Sequence, residues 1–239
     1  MKQLSILLIS VILFSCSDSE IKYHIDETTS PTDTLTYLKL DMTPLNGMVY
    51  CKFGDNGKFI NGKRNGIHKN WYDDGQLEFE GKYVDGKNDG LYKEWNENGQ
   101  LSSEGNYING KRDGLHKGWN EDGQLNYEGN YIDGKGDGVH KGWYENGQLF
   151  MKMNLKEGKF NGLKTKWWVN GKIWSEGNWK DNKEDGLHKY YEENGQLNSE
   201  EYFKNGKKDG LYKSYDKGEL QFEMNYINGE VIDESIKHF

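Results

Sequence analysis

A chain of 239 residues with a net charge of −8 and only 33% hydrophobic residues lacks the apolar material for two buried layers, so its 14% aromatic content has to supply much of the packing. It has no run of lysines or arginines, which argues against a nucleic-acid surface or a polybasic contact with anionic lipid, and its two cysteines are too few for a disulfide scaffold and lack metal-ligand spacing. All 31 glycines fall between Gly47 and Gly229, while both prolines, Pro31 and Pro44, precede them. A proline-free, glycine-rich body suits many short strands joined by tight turns, and a helical reading is poor.

Residues 1–16 read as an export signal: a cationic start at Lys2, an apolar run from Leu4 to Phe14, then Ser15 and Cys16. Leu13-Phe14-Ser15-Cys16 resembles the lipobox of bacterial lipoproteins, which implies lipidation at Cys16, and the run is too short to favour a full membrane span. Asp18 and Glu20 look like the tag that exports some lipoproteins to the cell surface. The implied address is the bacterial envelope, lipid-anchored at the outer membrane and exposed at its surface. Residues 17–40 are polar and glycine-free, as expected of a flexible tether. Residues 41–65 read as a degenerate first unit that caps a repeat array, with Cys51 a small buried apolar side chain.

From there the chain repeats. Gly66, Gly90, Gly114, Gly138, Gly162, Gly186 and Gly210 each stand 24 residues after the last and open seven units over residues 66–230, leaving 231–239 as a tail. Alternation in Leu115–Trp119 and Leu125–Tyr131 predicts two strands per unit, with one packed face. A three-residue loop ending in a left-handed Gly123 sets Trp119 opposite Leu125 and Leu115 opposite Gly129. The return connection from Ile108 to Gly114 is read as longer and polar, so that Tyr107 meets Leu115. The predicted fold is all-β: an elongated, curved array of antiparallel hairpins, one per 24 residues. Its roughly fourteen strands would span about 65 Å. Trp71, Trp95, Trp119, Trp143, Trp167, Tyr191 and Tyr215 share one phase and are expected to form an aromatic ladder that serves as core and candidate binding surface.

The unit Gly-Leu-His/Tyr-Lys-x-Trp-x-Glu-Asn-Gly-Gln-Leu-x-x-Glu-Gly-x-Tyr-x-Asn-Gly-Lys resembles the MORN-type repeat, and more closely the variant found in the bacterial YwqK-family antitoxins, over about residues 46–230. That resemblance implies an antitoxin or immunity role, neutralising a toxin by occlusion; the alternative is a structural or adhesive envelope lipoprotein contacting glycan or other surface proteins. The partner is expected to be a protein, a toxin or an envelope protein, with the membrane reached only through the N-terminal lipid. Departures fall in the fourth to sixth units, where Lys164-Thr165, Gly171-Lys-Ile173, Met153, Glu201 and Asn182 replace the usual residues.

No residue set suggests catalysis. His68, His116, His140 and His188 recur two strands apart, roughly 9.6 Å, too far to converge on one metal ion, and read as half-buried sheet-surface residues. Gly134-Lys-Gly-Asp-Gly138 opens no helix and reads as a turn rather than a phosphate loop. Glu97, Glu121 and Glu145 lie at turns without a nucleophile or base beside them. The lysine row Lys69, Lys93, Lys117, Lys141, Lys189 and Lys213 is read as stems over rings with ammonium groups reaching water or loop carboxylates, or else as a cationic stripe. Neither an enzyme, a cofactor nor a metal is expected. Broken phase at Trp168 and Trp174, with Trp179 nearby, marks a specialised contact patch.

Overall fold

The computed structural model describes residues 21–32, 35–39 and 42–239, so the segment read as an export signal and the lipidation expected at Cys16 lie outside the described residues. The first strands are β1 (Lys22–His24), β2 (Thr28–Thr32), β3 (Leu35–Leu38), β4 (Gly47–Cys51) and β5 (Gly54–Ile60). The repeats comprise β6 (Lys63–Trp71), β7 (Leu77–Val84), β8 (Lys87–Trp95), β9 (Leu101–Ile108), β10 (Lys111–Trp119), β11 (Leu125–Ile132), β12 (Lys135–Trp143) and β13 (Leu149–Lys156). The array ends with β14 (Lys159–Trp167), β15 (Ile173–Lys180), β16 (Lys183–Tyr191), β17 (Leu197–Lys204), β18 (Lys207–Asp216), β19 (Glu219–Ile227) and β20 (Glu230–His238). From β4 onward every strand pairs antiparallel with the next, and β1 adds in parallel to β4, giving one open sheet of 18 strands. The expected hairpin meander is therefore what the chain forms, and no α-helix occurs among the described residues.

Two local devices set which side chains pack. Between units the chain reverses in two residues: Asn109 and Gly110 both have positive φ, 51° and 81°, the mirror-image turn whose twist matches antiparallel strands. Lys111 then pairs with Ile108 and Arg112 with Tyr107. The return connection is thus a tight turn rather than the long loop expected, and Tyr107 faces Arg112, not Leu115. The other turn matches the expectation, with Trp119 opposite Leu125 and Gly123 left-handed at φ 76°. Asn126, however, is an extra residue on its strand, so Gly118 pairs with Tyr127 and the register shifts. The same shift recurs in all seven hairpins.

One inserted residue reverses the parity of everything beyond it. His116 therefore lies opposite Gly129, and Leu115 opposite Asn130, which corrects the expected Leu115–Gly129 pair. His116 is 5% exposed and Leu115 is 49% exposed. The face expected to pack through leucine packs instead through histidine.

At the N-terminal end, Leu45, Val49 and Phe59 form the one fully apolar core cluster among the described residues, with Tyr23 and Leu38 packed against it. The segment read as a tether accordingly carries β1 and the separate β2–β3 hairpin. A terminal unit has no neighbour to cover its apolar end, and this segment supplies the cover. Cys51 is half-buried rather than buried. At the other end the expected tail is strand β20, which extends the meander.

Candidate binding surfaces of the sheet

The packed face is a run of rings held over glycines. The Nδ1 atom of His116 would lie 2.0 Å from a Cβ added at Gly105, and that of His140 2.3 Å from one at Gly129; His188 stands the same way over Gly177 and His68 over Gly57. Glycine recurs in the Glu-Gly pair because the next unit's ring occupies its side-chain space. Nε2 of His116, His140 and His188 lies 2.7–2.8 Å from the carbonyls of Asn106, Asn130 and Asn178, and since a carbonyl only accepts, Nε2 carries the hydrogen; His68 Nε2 stands 2.7 Å from the Lys58 carbonyl in the same way, with the Asn65 N–H also directed at it at 3.1 Å. Asn106 stands alone opposite the three residues Asp113–Leu115, where the ladder is interrupted, so the imidazole satisfies a carbonyl the sheet leaves over. Burial pushes the His68 pKa down to about 4 and lowers those of His116 and His140.

Ring contacts run along this face at centroid distances of 4.9–5.9 Å: Phe59–His68–Tyr83, then Tyr92–Tyr107–His116–Tyr131–His140, then Phe160–Trp179–His188–Phe203. In one stretch they extend into a directed chain. Arg112 Nη1 donates to Tyr131 Oη, the Tyr131 and Tyr127 hydroxyls stand 2.6 Å apart, Tyr127 donates to Nδ1 of His140, and Nε2–H of His140 donates to Asn130. The histidines are thus packing residues, more deeply buried than the sequence suggested. One exception fits the same packing rule, since Met153 replaces the glycine where Lys164 replaces the ring and the Lys164 ammonium sits 4.4 Å from Phe160 and 5.0 Å from Trp179; a second does not, since Glu201 replaces the glycine opposite a retained ring, Tyr212.

The opposite face carries charge in alternation. Lys117 stands between Glu104 and Glu128, and salt bridges link Lys69 to Glu80 (2.9 Å), Lys141 to Glu128 (3.1 Å) and Lys189 to Glu200 (3.3 Å). These ammonium groups reach cross-strand glutamates rather than loop carboxylates, and the row is neutralised rather than a cationic stripe. The alternation breaks at Lys141, Lys152 and Thr165. Beside the ladder, Ile67, Leu91, Leu115, Val139 and Leu163 form an aliphatic row, 40–51% exposed. Sequence reasoning placed Leu115 in the core and missed this row; the only signal for it was the bulge residue that reverses the parity.

The predicted ladder residues Trp71, Trp95, Trp119, Trp143, Trp167, Tyr191 and Tyr215 are half-buried on this same open face, where Tyr191 donates to Glu176 and Tyr215 to Glu200. They make no ring-to-ring contact with one another, because equivalent positions are two strands apart. The continuous ring run belongs to the histidine face instead. The predicted patch also divides: Trp168 and Trp174 meet at 5.2 Å at the turn edge, whereas Trp179 lies in the packed ring run. One unit earlier Tyr144 and Phe150 meet at 5.5 Å in the same two positions, a pair the sequence reading did not single out.

The remaining recurrent acids are structural. Asp113 Oδ2 accepts the N–H of Asp133 at the next turn, and Asp89, Asp137, Asp185 and Asp209 do the same for their neighbours. Gly134, in the loop-like run, donates its N–H to the Arg112 carbonyl and leads into β12, a turn as expected. Glu97, Glu121 and Glu145 are exposed at turns.

Against known families, residues 64–85, 88–109, 112–133, 136–157 and 184–205 match the model of the MORN repeat variant. No curated protein matches the chain. The interval 158–183, between the fourth and fifth matches, holds Lys164, Trp168 and Trp174, three of the residues that depart from the pattern. Five of the seven hairpin units thus match the MORN repeat variant, and the array they build is an open antiparallel sheet with one packed and one accessible face.

Proposed function

We propose that the chain is a non-enzymatic binding protein that holds a protein partner against the open face of its sheet, in the manner of an antitoxin or immunity protein that neutralises by occlusion. The observation that carries this reading is the aliphatic row centred on Leu91, Leu115 and Val139, presented at one residue per unit on a rigid ladder and bordered by paired charges. An apolar stripe with a polar rim is the arrangement that a protein partner covers. The resemblance of the repeat to that of the YwqK-family antitoxins supports the occlusion role, and the lipobox at Cys16 supports an encounter in the bacterial envelope.

The test is retention of a partner from membrane extract on the wild-type chain and on a Leu91→Ser/Leu115→Ser/Val139→Ser variant. One stoichiometric protein is expected on the wild type and should be lost from the variant while its strand circular dichroism is unchanged. Equal retention by both, or retention of glycan without protein, contradicts the reading. For the address, Cys16→Ala is expected to move the chain from the membrane to the soluble fraction; a chain that stays with the membrane contradicts lipid anchoring.

A further inference from the structure

The turn edge of the sheet carries two ring pairs that the repeat does not need in order to fold. The positions filled by Asn96 and Ser102, and by Asn120 and Asn126, in earlier units are filled by Tyr144 and Phe150 in the fourth and by Trp168 and Trp174 in the fifth. The first pair has centroids 5.5 Å apart and planes inclined at 55°; the second, 5.2 Å and 39°. Each is pinned to the following unit, since Tyr144 Oη donates to the Trp167 carbonyl and Trp168 Nε1 to the Tyr191 carbonyl. Clefts of about 600 Å³ and about 320 Å³ lie beside them, with Glu145 and Asn146 on the first and Glu192 and Asn198 on the second. Trp174 is 40% exposed, although the Lys166 ammonium stands 4.7 Å from its ring centroid.

We infer that these tandem ring pairs bind a β-linked oligosaccharide along the turn edge. A pyranose offers a C–H face to an aromatic ring and hydroxyls at its rim to carboxylates and amides, and each cleft supplies both kinds of group. The two pairs occupy equivalent positions one unit apart, so they are separated by two strand spacings, about 9.6 Å. That is close to the length of a β-linked disaccharide, and one glycan chain can therefore lie on both. An organic cation would also favour rings and carboxylates. Here, however, the Lys166 ammonium already stands over the Trp174 ring, and Glu201, at the rim of the second cleft, pairs with Lys208 at 3.3 Å. The site uses none of the aliphatic row assigned to the protein partner, so either reading can fail without the other.

The experiment is calorimetric titration of the full chain in mild detergent with cellotetraose and chitotetraose, with glucose, N-acetylglucosamine and choline as comparisons. A tetrasaccharide is expected to bind at least roughly tenfold more tightly than its monosaccharide, because only the longer chain engages both pairs. Trp174→Ala and Phe150→Ala should each weaken that binding by about tenfold, and Trp174→Tyr should largely retain it, with a change at the exposed Tyr202, Tyr202→Phe, leaving it unchanged. Absence of saccharide binding, equal affinity for mono- and tetrasaccharide, choline bound in their place, or a folded Trp174→Ala chain that binds as wild type would each overturn the inference.

Discussion

Gly105→Ala is expected to destabilise the array by about 3 kcal/mol, a large effect for one methyl group. A Cβ there would stand 2.0 Å from His116 Nδ1 and 2.2 Å from its Cε1, inside contact distance of a ring that is itself 5% exposed. The ring cannot swing away cheaply, because its Nε2–H is committed to the Asn106 carbonyl at 2.7 Å and Tyr107 and Tyr131 flank it at 5.1 Å. Gly105 has no left-handed backbone to lose, so the cost is steric. Gly114 gives the contrast, since nothing lies within 4 Å of its added Cβ but its φ is 81°, and alanine there should cost only about 1–2 kcal/mol. Urea denaturation would measure both. A Gly105→Ala/His116→Ala double variant should be less destabilised than the sum of the singles, as expected of two groups in contact. Additivity there would show that ring and glycine do not share the space. The chain itself contains the paired exchange, at Met153 and Lys164.

Acid should weaken the same face. Burial disfavours the imidazolium, so His68, with a folded pKa of about 4, binds its proton more readily in the unfolded chain, where the value is near 6.5. Desolvation is the largest cause; the hydrogen bond to the Lys58 carbonyl opposes it, and the Arg64 charge adds to it. The contribution of the neutral ring is therefore fully present above pH 6.5 and is lost as the pH falls through about 4. Two and a half pKa units correspond to about 3 kcal/mol for His68 alone, with His116 and His140 shifting in the same direction. Urea midpoints at pH 7.5, 5.5 and 4.5 should fall progressively, and a folded His68→Gln variant should fall less. Carboxylates titrate in the lower part of this range, so the difference between the two chains is the informative quantity. A wild-type midpoint that is flat between pH 7.5 and 4.5, or a variant with the same slope, would refute the assignment.

The period, the hairpins, the three-residue loop with its left-handed Gly123 and the irregular character of residues 153–182 were all legible in the sequence, because each is set by spacing or by a glycine at a fixed phase. The packing face was not legible. Alternation of leucine, tryptophan and tyrosine was read without an insertion, and Asn126 is an insertion: one bulged residue sent Leu115 to solvent and His116 inside. The Asn-Gly dipeptide at 109–110 did carry a tight-turn signal, and reading the polar run up to Gly114 as a single loop concealed it. The candidate patch was half legible. Trp168 and Trp174 drew attention as extra tryptophans, but their likeness to Tyr144 and Phe150 lies in position rather than in residue type.

Both the proposed partner surface and the stability predictions depend on histidine being inside and leucine outside. The most direct measurement is the rate of thiol labelling of Leu115→Cys and His116→Cys chains in which Cys16 and Cys51 have been replaced by serine, under native conditions and in urea. Rapid native labelling at position 115 is predicted, with labelling at position 116 suppressed until the sheet unfolds. Equal native rates at the two positions, or protection at 115 with exposure at 116, would contradict the account.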